Sequence, residues 1–122
     1  MRKVFVYRNL HKDCWSVKAL DGEFKGRVIY HAKEIPLWDC KFKVSEAGRQ
    51  RVLRERSKNV HAGVVGYMYD DMLAPAVQAP IRITYNPYRY NSFVTAEGLQ
   101  AVGTAEYVCM KNDKSVWAWA TR

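Results

Sequence analysis

Ten residues, 49 to 58, hold five cations (Arg49, Arg51, Arg54, Arg56 and Lys58) against one anion, Glu55. With a single carboxylate in reach, i,i+4 ion pairing cannot neutralise them. Four of the five are arginines, whose planar fork holds a phosphate or carboxylate through two hydrogen bonds, where lysine offers a point charge. Lys41 and Lys43 precede the run and extend it. The chemistry these residues are suited to is capture of an acidic partner: nucleic acid, or an acidic protein surface. The alternative is a solvated cationic face with no partner.

A second cluster is Tyr85-Asn-Pro-Tyr88-Arg89-Tyr90-Asn-Ser-Phe93. Tyr88, Arg89 and Tyr90 suit base stacking with phosphate contact, or a protein contact of large area and low entropy cost. The same rings can instead cover one end of a core.

Catalytic signals are weaker. His61 stands two residues after Asn59, which would suit a small nuclease or hydrolase, but no spacing selects an acid–base partner among Asp39, Asp70 and Glu106. Gly63-Val-Val-Gly66 lacks the following Lys-Ser/Thr of a phosphate-cradling loop. Zinc could draw on His11, Cys14, His31 and Cys40, yet no Cys-x-x-Cys pair exists. The expectation is a non-enzymatic protein with no catalytic residue, no metal and no cofactor. Cys14, Cys40 and Cys109 read as reduced thiols.

Elements must position these residues within 122 residues, the length of one domain spanning 1–122. Apolar content of 48% with four Trp and eight Tyr argues against disorder. The net charge of +8 lies entirely in residues 1–60, which carry 15 Lys/Arg and 7 Asp/Glu; the remainder balances. No signal peptide or membrane span is visible, and a cytoplasmic location is expected.

Alternation of apolar and polar residues predicts strands over 2–8, 14–20, 27–32 and 38–44, the first three as a meander turned at residues 9–13 and at Asp21-Gly22. Glu34-Ile-Pro36 should interrupt. In the fourth strand Trp38, Cys40, Phe42 and Val44 fall on one face, with Asp39, Lys41 and Lys43 on the other. Ser45 then caps a helix over about 46–58, with Glu46 in its first turn. Val52, Leu53, Arg49, Arg56 and Val60 share its docking side; Arg51, Arg54 and Lys58 face away. Strand character returns over 59–69, where Gly63 and Gly66 signal a bulge or close backbone approach. A loop over 70–80, a strand over 81–85, the tyrosine loop over 86–91, and strands over 93–96, 105–110 and 116–120 complete the chain. Trp117 and Trp119 share a face that reads as core; alternatively the last strand is an edge open to a homodimer.

The fold class this implies is α+β and mainly β: a curved antiparallel sheet or partly open small barrel with one basic helix on it. The chain also resembles small uncharacterised proteins of bacteriophages and mobile elements, through Tyr7-Arg-Asn-Leu-His11-Lys-Asp-Cys-Trp15-Ser-Val and through residues 45–62. That resemblance covers the first half and implies expression in an infected bacterium. It ranks two expectations: nucleic-acid binding through the Arg-rich helix, or binding and inhibition of a host or defence protein complex.

Overall fold

The computed structural model describes residues 2–57, 59–68 and 79–122. Nine strands and one helix follow in the order β1 (Arg2–Asn9), β2 (Cys14–Ala19), β3 (Val28–Ala32), β4 (Ile35–Val44), α1 (Glu46–Glu55), β5 (Ala62–Met68), β6 (Ile81–Thr84), β7 (Val94–Thr95), β8 (Thr104–Met110) and β9 (Val116–Thr121). All strands join one antiparallel sheet ordered β3-β2-β1-β5-β4-β8-β9-β6-β7. The mainly β class and the single short helix are as the sequence predicts. Residues 70–78 of the expected loop, Tyr69 of the strand expected over 59–69, and Lys58 lie outside the described residues. No helix among the described residues is long and apolar enough to cross a membrane.

A single sheet can bury one face only by curving on itself. Val4, Val6, Val17, Leu37, Val108 and Ala118 are fully buried and belong to the same core cluster as Ile83, Phe93 and Val116 from the other end of the strand order. The curvature carries the β8–β9 turn across to β2, where the Trp15 indole N–H donates to the Lys111 carbonyl at 2.8 Å, 96 residues away. The expected meander holds: Asn9 pairs with Cys14, and the Asn9 side-chain oxygen accepts from the backbone N–H groups of His11 and Lys12.

β4 differs from expectation in two ways. It starts at Ile35 and runs through Pro36, which pairs with Cys109 of β8. Among the described residues, β5 pairs with β4 only from Trp38 onward. The missing N–H breaks no β4–β5 pairing among the described residues. The register also shifts between Trp38 and Lys41, with Asp39 at φ 49°. This bulge turns Leu37 and Cys40 both toward inward-facing Gly66. It places Trp38 on the outer face opposite Tyr67, so Trp38 does not share a face with Cys40.

The last strand is likewise corrected. β9 lies between β8 and β6, which take the backbone of residues 116–118 on both sides, so it is not an edge strand. Val116 and Ala118 supply the core. Trp117 and Trp119 are half-buried on the outer face, not core residues. There Trp38, Tyr107 and Trp119 form a cross-strand row of edge-on rings with centroids 4.9 and 5.0 Å apart.

The three cysteines are free thiols. Burial pushes the Cys40 thiol up to about 12, and it raises that of half-buried Cys109 as well. The thiolate is the reactive form. At pH 8, native protein treated with iodoacetamide is expected to be modified at Cys109 before Cys40, and all three should react in denaturant. Rapid modification of Cys40 in the folded protein, read by intact mass and peptide mapping, would contradict its placement.

Candidate nucleic-acid interface

The helix is an insert in the β4–β5 hairpin. The Ser45 N–H donates to the His61 carbonyl at 2.7 Å, closing the hairpin before the helix leaves it. Ser45 is the N-cap as the sequence predicts, its hydroxyl accepting from the Gly48 N–H at 3.2 Å. The helix ends at Glu55, three residues earlier than expected. Arg56 adopts the left-handed conformation (φ 51°, ψ 30°) and its N–H donates to the Val52 carbonyl. That turn starts the chain back toward β5, and it removes Arg56 and Val60 from the docking side; both are exposed. Val52 is the helix's one buried residue, so α1 docks by a narrow edge.

Its first turn is held more firmly. A Cβ on Gly48 would lie 2.6 Å from His61 Cβ, so only glycine permits this approach. This is why a residue of poor helix propensity stands in the first turn. His61 has both ring nitrogens engaged: Nδ1–H donates to the Asn59 carbonyl at 3.0 Å, and Nε2 accepts from the Tyr85 hydroxyl at 2.7 Å. Tyr85 stacks on Phe93 with centroids 5.1 Å apart, and Phe93 meets Phe42 at the same distance. A ladder of four rings thus ties the helix base to the core. Burial raises the Tyr85 hydroxyl above the usual phenol range, which favours its role as donor.

The tyrosine loop is brought to the same place. Arg49 Nε donates to the Pro87 carbonyl at 2.9 Å, while its Nη1 bonds Glu46 Oε1 at 2.9 Å. Hydrogen bonds from Gln50 and then Arg49 hold the Glu46 carboxyl below the usual carboxylate range. The Asn86 carbonyl accepts from the N–H groups of Arg89 and Tyr90, and its side chain accepts from the Tyr88 N–H. The loop is therefore a defined turn, with Tyr88 59% exposed and Arg89 exposed beside it. Tyr90 is half-buried.

Of the expected cationic residues, Arg51 and Arg54 are exposed on α1, Arg56 is exposed at its C-cap, and Lys41 and Lys43 are exposed on β4. None of the five takes part in either ion pair found among the described residues, Arg8–Asp13 and Arg49–Glu46. Arg49 is different: its guanidinium is committed to the loop and to Glu46, which makes it a positioning residue. Lys58 lies outside the described residues. No group of three or more His, Cys, Asp or Glu among the described residues is placed to hold a metal. His31 instead bonds Ser16 Oγ at 3.0 Å.

Reasoning from sequence missed two groupings. One is the outer-face aromatic row. The other is a cavity lined by Arg8, Arg82 and Lys114. The Arg8–Trp15 pair at its wall follows from the β1–β2 register and was open to discovery through the turn at 9–13; the arrival of Arg82 and Lys114 was not.

Fold and surface together define a small single-sheet β protein carrying a cationic helical insert. The chain belongs to the family described as Mycobacterium phage L5 gene 82 protein, whose model matches residues 1–118. The gene 82 protein of Mycobacterium phage L5 is 46% identical over 100 residues, covering 77% of this chain and 78% of that protein. No solved structure matches. The resemblance to small uncharacterised phage proteins is thereby established.

Proposed function

We propose that this phage protein binds nucleic acid, without chemistry of its own, through the end formed by α1 and the loop over residues 86–91. One observation carries the reading: Arg51, Arg54 and the C-cap Arg56 are exposed and outside any ion pair among the described residues, on a helix whose base is fixed to the core. In this reading they and Lys41, Lys43 and Lys58 meet phosphates, Arg49 sets the loop, and Tyr88 and Arg89 offer a stacking surface. In this reading the protein acts in the cytoplasm of the infected bacterium.

A second reading has an observation of its own. The row of Trp38, Tyr107 and Trp119 lies on the outer face, and aromatic rings of this kind anchor protein interfaces. The protein would then bind and inhibit a host or defence protein complex, the cations steering association with an acidic surface.

Fluorescence anisotropy against labelled single- and double-stranded DNA and RNA, at low and physiological salt, tests the first reading. Binding that weakens with a log–log salt slope of roughly −3 to −5, for four to six phosphates, supports it. No binding even at low salt overturns it. Capture of a bacterial protein from nuclease-treated lysate, abolished by alanine at Trp38, would favour the second.

A further inference from the structure

Where the curved sheet brings β1, β2 and β5 opposite β6 and the β8–β9 turn, it leaves a cavity of about 250 Å³. Its floor is shared with the core, Trp15 and Tyr85 stand in its walls, and Arg8, Arg82 and Lys114 line it. Arg8 is the unusual member. Its side chain is 13% exposed, and its guanidinium carbon sits 5.2 Å from the centroid of the Trp15 ring. One terminal nitrogen, Nη2, donates to Asp13, whose own side chain is 80% exposed. The other two, Nε and Nη1, are buried with no hydrogen-bond partner among the described residues. Buried charged donors are rarely left unmade, because their desolvation is not offset.

The surrounding charge is unbalanced in the same sense. Among the described residues, Asp13 and Asp113 neighbour these cations, and both are occupied. Hydrogen bonding from Arg8 holds Asp13 below the usual carboxylate range, with Lys114 adding to the effect. Asp113 is held low by the Ser115 hydroxyl and N–H, with Arg82 contributing. Neither has been drawn to the free donors of Arg8.

We infer that this cavity is a binding site for a phosphomonoester, the phosphate seated among Arg8, Arg82 and Lys114 and the attached group against Trp15 and Tyr85. A carboxylate would be met by one arginine; three cations lining one cavity suit a dianion with several acceptor oxygens. The volume admits a phosphate with part of a small substituent, below the usual range for drug-sized ligands. The phosphate can come from a free mononucleotide or from the end of a nucleic-acid strand. This site is separate from the exposed arginines of α1 and does not depend on them.

Calorimetric titration of the full chain at low ionic strength with inorganic phosphate, 5′-AMP and adenosine tests the inference. Phosphate and AMP should bind with Kd near or below about 1 mM, and adenosine should not. Arg82→Gln and Lys114→Gln, both at exposed positions, should each weaken AMP about tenfold; Arg8→Gln should abolish binding. If Arg8→Gln fails to fold, the other two variants still decide. The triple variant Arg51→Gln, Arg54→Gln, Arg56→Gln should bind AMP as the native protein does. A 5′-phosphorylated dinucleotide that outcompetes AMP identifies a strand end as the source, and AMP binding tighter identifies the free nucleotide. The inference is overturned if adenosine binds as well as AMP, if no phosphate compound binds, or if the Arg82 and Lys114 variants bind unchanged.

Discussion

Replacing Arg51, Arg54 and Arg56 together by glutamine is expected to weaken nucleic-acid binding roughly 100- to 500-fold at about 0.1 M salt. Each phosphate neutralised contributes about 0.7 (single strands) to 0.9 (duplex) to the slope of log K against log salt. Three lost contacts should therefore flatten the slope by about 2 to 3 units. With the intercept at 1 M salt unchanged, the same number is the loss in log K at 0.1 M. All three side chains are exposed and outside the ion pairs, so stability should move by no more than about 0.5 kcal/mol. Anisotropy titrations across a salt series check the slope, and a thermal melt checks the fold. A folded triple variant with the native slope would remove α1 from the interface. Arg49→Gln makes the informative contrast. It releases Pro87 and Glu46 rather than a phosphate, so affinity should fall with little change in slope.

That contrast could not be drawn from the helix sequence, where Arg49 looks like its neighbours. Features set by local pattern were legible: the alternation of Val4 and Val6, the Ser45 cap, and the period change that isolates the helix. Gly63 and Gly66 were legible as sites of close approach. Features set by register and curvature were not. A left-handed residue at Asp39 reverses the face of Trp38 relative to Cys40, and alternation alone cannot register such a bulge. Trp117 and Trp119 share a face as their spacing requires. Which face becomes core depends on Val116 and Ala118 meeting residues from strands far away in sequence. The helix stops at Glu55 because the chain must return beside β4, a requirement imposed by the hairpin rather than by propensity. The joining of the basic helix to the tyrosine loop rests on Arg49 and the His61–Tyr85 bond, which span 38 and 24 residues.

The second large effect is expected at Gly63, where β5 lies beside β1 in the sheet. A Cβ there would lie 2.4 Å from the Val6 carbonyl oxygen and 2.7 Å from two carbons of the Phe5 ring. The ring could swing aside, but the carbonyl belongs to the backbone of a strand paired on both sides, with β2 and with β5. Relief therefore requires β1 and β5 to separate at the point where Val6 faces Val64, both of them core residues. Overpacking in a well-filled core costs about 1–3 kcal/mol, and a backbone clash belongs at the upper end. Gly63→Ala should thus lose about 3 kcal/mol, a large share of the roughly 5–15 kcal/mol that holds a domain together. For a chain of this length the melting temperature should fall by about 12 °C. Gly63→Val should not fold. Gly103→Ala supplies the control, since its nearest neighbour would be the Arg122 carbonyl at an ordinary 3.7 Å. If Gly63→Ala melts within about 2 °C of the native protein, the close approach of β1 and β5 is not as described. The consequence would reach function, because Gly63 also lines the cavity beside Arg8 and follows His61 by two residues. A shift in β5 would move the base of α1 and the wall of the cavity together, so nucleic-acid and phosphate binding should both weaken in Gly63→Ala, whereas the arginine variants of α1 weaken only the first.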